Sequence, residues 1–93
     1  MTPDAFHAGL RADGFADAVL VERQPGYSLE SHAHPFDARA LITAGDITLT
    51  VDGVATRYAA GDVFRLPAGT VHLESAGPDG VTYLSGRREA AST

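Results

Sequence analysis

The stretch GYSLESHAHPFDARALITAG, residues 26–45, sets two histidines one residue apart, follows them with a proline and runs into an apolar segment closed by a glycine. Side chains two apart on an extended strand share a face. If residues 28–34 are extended, Glu30, His32 and His34 therefore point one way and Leu29, Ser31 and Ala33 the other. The chain has four histidines, His7, His32, His34 and His72. His72 lies in PAGTVHLES, residues 67–75, where the same alternation turns His72 and Glu74 together against Val71 and Leu73. Three imidazoles converging from two strands suit a divalent first-row metal and leave coordination positions open. The same spacing also describes two exposed strand histidines and one hydrogen-bonded core histidine, and His-x-His alone does not separate the two readings.

Around these stretches the chain changes period once. Thr2, Pro3 and Asp4 read as an N-cap, a first-turn proline and a first-turn acid, which predicts a short helix over residues 3–12 with Phe6 and Leu10 on its buried side. From Ala16 onward, short runs rich in Val, Ile, Thr, Leu and Tyr are separated by Pro25-Gly26, Gly45-Asp46, Asp52-Gly53, Gly61-Asp62, Pro67-Ala68-Gly69 and Pro78-Asp79-Gly80. In ITLTVDGVATRY, residues 47–58, the alternating Ile47, Leu49 and Val51 lead into Asp52-Gly53, the preferred dipeptide of a two-residue hairpin turn. So many short strands in so short a chain predict an all-β barrel or sandwich, which leaves few open edges. The expected layout is one domain over residues 1–93: the helix, a barrel over about 16–88, and a tail fraying over 89–93.

Composition narrows the function classes. All seven basic residues are arginines, scattered against twelve acids for a net charge of −5. That leaves no basic stripe for phosphates, so no nucleic-acid partner is expected. No apolar run approaches the roughly 20 residues that span a bilayer, so no membrane partner is expected. The N-terminus MTPDAFHAGL lacks a basic lead-in and an apolar core, and there is no cysteine. No secretion signal and no disulfide framework are therefore expected, and the reading is cytoplasmic.

Taken together, Gly26, His32, His34 and Gly45 stand in the spacing of the first cupin motif, and Gly61, Pro67, Gly69 and His72 in that of the second. The chain thus resembles a small bacterial cupin. The resemblance implies an RmlC-like jelly-roll β-barrel, with a metal held inside by His32, His34 and His72. Two positions depart from the pattern. The family's glutamate ligand falls on Ala38 and its closing asparagine on Ala76, and a methyl group binds no metal. A site of three histidines is similar to that of the thiol and diketone dioxygenase branch. The cofactor implied is one divalent ion, with Fe, Zn, Ni, Mn and Cu all open.

Three acids are candidates to replace the missing carboxylate or to move protons. Strand parity turns Glu74 inward with His72 and gives Glu30 the same relation to His32, though nearer the start of its strand and so at a barrel mouth open to water. Both are candidate catalytic residues that could orient a ligand, act as acid or base, or pair with an arginine. Asp37 faces away if Ala38, Ala40 and Ile42 face inward, which makes it a surface or loop carboxylate. By the same parity Arg39 and Leu41 face outward, and a surface or dimer-contact role is expected for them. His7 has no partner in either motif and is expected to be an exposed helix residue. The expected function is a metalloenzyme, dioxygenase-like or of another class, acting on a small molecule. The alternative is a non-catalytic module that senses a metal or small ligand. A homodimer is expected, with Leu41 in its interface.

Overall fold

The computed structural model describes residues 1–89. Its helix, α1 (Pro3–Ala12), is capped by Thr2, whose Oγ1 accepts from the Ala5 N–H at 3.2 Å, and it ends at Asp13. Six strands follow: β1 (Val19–Arg23), β2 (Ser28–His32), β3 (Phe36–Val51), β4 (Val54–Ala59), β5 (Val63–Leu66) and β6 (His72–Glu89). Glu89 still pairs with Phe36, and the rest of the tail expected to fray, residues 90–93, lies outside the described residues.

Two long strands carry the architecture. β3 and β6 run antiparallel side by side from Phe36↔Glu89 to Thr50↔Leu73, with register shifts around Ala44 and Gly45. The first half of β3 pairs with β5 and the second half with β4, while β1 and β2 pair with opposite halves of β6. One connected sheet therefore folds into two faces, β1–β6–β3–β5 and β2–β6–β3–β4, an all-β arrangement as the strand count predicts and the jelly roll that the cupin resemblance implies. The β3–β4 hairpin turns on Asp52 at φ 50° and Gly53 at φ 79°, the two positive φ values that a type I′ turn requires. Between the faces lie Ala40, Ile42, Ile47, Leu49, Phe64, Leu66, Val81 and Tyr83, all buried. No described helix is long and apolar enough to cross a membrane.

The outer face of the β1–β6–β3–β5 half departs from the sequence expectation. Leu41 does point away from Ala40 and Ile42, but α1 lies over it, and with Phe6, Leu10 and Phe15 it forms a second buried cluster in which it is 1% exposed. Leu41 is thus closed to a partner chain, and the interface expected through it is withdrawn. Arg39 is likewise no free surface residue. Its guanidinium sits 4.5 Å from the Phe15 ring centroid and bonds Asp13 Oδ2 at 2.8 Å, clasping the end of α1 to β3. Leu41→Glu is therefore expected to unfold the chain rather than dissociate it. An unpaired charge in such a cluster costs several kcal/mol, a large part of the roughly 5–15 kcal/mol that holds a domain together. An unchanged urea midpoint in that variant would contradict the burial.

Candidate metal centre

Register brings the first two histidines together. His32 ends β2, His72 begins β6, and the two are paired residues across the antiparallel ladder, with ring centroids 4.2 Å apart. His34 lies just beyond β2, in the connection to β3. Its ring centroid is 4.9 Å from that of His32 and 5.4 Å from that of His72. One potential ligand atom from each of the three lies within 4.8 Å of the other two.

Each ring is held by a neighbour. His32 Nδ1 donates to the Glu30 carbonyl at 2.8 Å, and His72 Nδ1 donates to the Thr70 carbonyl at 2.9 Å. A carbonyl can only accept, so both Nδ1 atoms carry the proton, and in the neutral imidazole Nε2 is then the atom with the lone pair. His34 stacks on Phe36, the planes 15° apart. Burial, and then the neighbouring imidazoles of His32 and His72, lower the pKa of His34 below the usual histidine value, which favours its neutral form.

The turn of the second motif is fastened to the first. Gly69 N–H donates to the His34 carbonyl at 2.9 Å and Ala68 N–H to Asp37 Oδ1 at 2.8 Å. Asp37 spends its other oxygen on Arg88 at 2.8 Å, and faces away from the histidines as parity predicts. The Ala68 N–H, then Arg88, hold its carboxyl below the usual carboxylate range. Asp37 thus positions the turn that carries Thr70 and His72. Ala38 lines the cavity and offers only its methyl group.

Glu74 sits where parity puts it. It is 11% exposed, with Oε1 accepting from the Tyr27 hydroxyl at 2.6 Å and Oε2 at 3.7 Å from His72 Nε2. Burial, and then the hydrogen bond to Glu74, push the Tyr27 phenol up to about 12. Glu30 departs from expectation. The register of β2 against β6 shifts between Leu29 and His32, so parity breaks across the pair. Leu29 lines the cavity in place of Glu30, which is exposed in a depression beside Thr48, Thr50 and Leu73. Only the backbone carbonyl of Glu30 serves the site, on His32. His7 is half-buried, edge-on to Phe6, and stands outside the histidine cluster.

The cavity over the histidines measures about 190 Å³, and Tyr27, Arg23 and Arg87 also line it. None of these three was singled out in the sequence. Tyr27 directly follows Gly26 of the first motif, but its tie to Glu74 arises only from the pairing of β2 with β6.

The fold has a counterpart among known proteins: the profile described as a cupin domain matches residues 19–84, well over half the chain. The chain belongs to the cupin family. Solved cupin structures superpose closely on it. An RmlC-like cupin from Shewanella frigidimarina is 27% identical with a TM-score of 0.66, covering 81% of this cupin and 67% of that chain. A cupin superfamily protein from Desulfitobacterium hafniense, at 24% identity and TM-score 0.68, covers 76% of this chain and 64% of its own, a likeness of fold alone. The DMSP lyase DddQ from Ruegeria pomeroyi is 25% identical with a TM-score of 0.70, and the match takes in 82% of this chain but 39% of DddQ. No curated protein matches the sequence.

The donor set of this cupin fits a metal ion on its own geometry. Three buried side-chain nitrogens have no hydrogen-bond partner among the described residues: Arg39 Nε, and Nε2 of both His32 and His72. The arginine atom lies outside the cavity, whereas the two imidazole atoms lie within it. An unpaired buried polar atom costs about 1–3 kcal/mol, and Nε2 of His32 and of His72 would each gain a partner if they held an ion.

Proposed function

We propose that this cupin is a metal-dependent enzyme of proton-transfer type, a lyase or isomerase of a small molecule. One divalent ion would be held by Nε2 of His32 and His72 together with the imidazole of His34. When bound, the ion would supply Lewis acidity to a substrate oxygen. The observation that carries the reading is the pair of orphaned Nε2 atoms, each with its Nδ1 tied to a backbone carbonyl, beside a carboxylate oxygen 3.7 Å from one of them.

The chain's own residues then divide the work. The Tyr27 phenol, with its pKa pushed up to about 12, stays protonated at neutral pH and holds Glu74 Oε1. Glu74 Oε2 is left facing the histidines, where it can take a proton from a substrate carbon or hydroxyl and return it one atom away. Val21, Leu29, Phe64 and Leu66 give the cavity its apolar wall. The likeness to a chain named a lyase is in keeping with this class.

Metal analysis of protein purified without a histidine tag is expected to find one equivalent of a divalent ion. In D2O, that protein is expected to wash deuterium into at least one of pyruvate, oxaloacetate and acetoacetate. Glu74→Gln should keep its metal and lose at least about a hundredfold in exchange, the usual weight of a general base. Bound metal with no wash-in from any probe would replace the enzyme by the non-catalytic binding module. A protein without metal would remove the metalloenzyme and the metal-binding module alike.

A further inference from the structure

Two adjacent arginines near the end of β6 have opposite fates. Arg88 turns outward, bonding Asp37 through Nε and an NH2 group at 3.1 and 2.8 Å and the Asp13 carbonyl at 2.8 Å. Arg87, by strand alternation, is on the cavity side and lines the cavity at its mouth, where it stays exposed to solvent. Its guanidinium carbon lies 4.2 Å from the ring centroid of Phe36, and Phe36 is the ring on which His34 stacks. No carboxylate of the described residues lies within ion-pair distance of Arg87.

The other charged groups of the cavity are Arg23 and Glu74. Arg23 stands over the Tyr27 ring at 5.1 Å, and Tyr27 holds Glu74, so that end of the cavity carries one charge of each sign. At the end by Phe36, Arg87 is the charged group that lines the cavity, while Glu89, the register partner of Phe36, is exposed and outside that lining. A guanidinium that lies over an aromatic ring without a carboxylate partner keeps N–H groups free, and its fork matches a carboxylate with two parallel hydrogen bonds. The cavity of about 190 Å³ holds about six water-sized groups at ~30 Å³ each.

From this we infer that Arg87 is the specificity-determining residue of the site, anchoring the carboxylate of a short-chain organic acid whose other end reaches the three histidines and Glu74. The inference rests on the proposed function for what happens at that other end. The anchoring itself depends on Arg87 and Phe36 and not on a metal.

The test compares lactate with lactamide, which have nearly the same shape and differ in charge, by calorimetric titration of the protein both as purified and after chelation. Pyruvate and malonate serve as further probes. The acids are expected to bind at least tenfold more tightly than lactamide in both preparations. Arg87→Gln should abolish that preference and Arg87→Lys should retain part of it, since a lysine keeps the charge and loses the fork. Arg65→Gln, on the outer face, should change nothing. Metal content of Arg87→Gln should equal that of the parent, which keeps this outcome separate from the fate of the metal reading. Equal binding of lactate and lactamide, undiminished acid binding by Arg87→Gln, or no saturable binding of any of the three acids would each overturn the anchor.

Discussion

Replacing His72 with alanine is expected to lower metal affinity by more than about a hundredfold. Removing a partner that merely orients a ligand histidine typically costs 10–100-fold, and here a ligand itself is lost. His72 is also the histidine with the least freedom to be replaced: it is 1% exposed, and its Nδ1 is fixed by Thr70. His32→Ala and His34→Ala should follow in the same direction. His7→Ala should not, because His7 lies on α1 against Phe6. Stability gives an independent readout. An ion that binds only the folded state adds about 2.7 kcal/mol when present at a hundred times its dissociation constant. The parent protein should therefore melt at a higher temperature with metal than after chelation, and His72→Ala should melt at one temperature in both. The pH dependence has a defined sign. Protons compete for the same imidazole lone pairs, so bound metal falls as pH drops. The lowered pKa of His34 moves its share of that loss to more acid pH. Equal metal content in all four single variants would end the three-histidine assignment.

Much of this site was readable from residue types and parity. His72 and Glu74 face a common cavity and Asp37 does not, because β6 alternates regularly after His72 and β3 does so before Ile42, and His32 joins them as the register partner of His72. Glu30 was misread for a reason that parity cannot contain. A register shift belongs to the pair of strands, and here it falls between Leu29 and His32. Leu41 shows a second limit. Alternation states which way a side chain points, not what lies over it, and α1 turned an outward residue into a core residue. Tyr27 and Arg87 mark a third. Each became informative through a contact distant in sequence, with Glu74 in one case and Phe36 in the other. Their roles depend on tertiary placement alone.

The largest effect on stability is expected at Gly45, the residue about which the register of β3 and β6 shifts. Gly45 sits at φ 70°, and a Cβ there would collide with the backbone carbonyl oxygen of Gly80 and come within 2.9 Å of its carbon and 3.1 Å of Val81 Cα. Two costs therefore add. The left-handed conformation alone is worth roughly 1–2 kcal/mol for a residue with a side chain. The collision is with backbone, so it cannot be relieved by a side-chain rotation and must push β6 away from β3 where the sheet bends. Gly53 separates the two costs. Its φ is 79°, yet nothing lies within 4 Å of an added Cβ. Gly53→Ala is accordingly expected to lower the free energy of unfolding by about 1–2 kcal/mol, and Gly53→Asn by less, since asparagine tolerates that conformation. Gly45→Ala should cost about 4 kcal/mol or more, the range reserved for a named structural failure, and Gly45→Asn should be no better because its Cβ meets the same carbonyl. Urea denaturation of the four variants distinguishes the terms. A Gly45→Asn protein as stable as Gly53→Asn would show that backbone conformation alone matters at the bend. Near-equal loss from Gly45→Ala and Gly45→Asn, far beyond that at Gly53, is the result expected if close approach of the two long strands at Gly45 and Gly80 holds the two faces of the jelly roll together over the histidines.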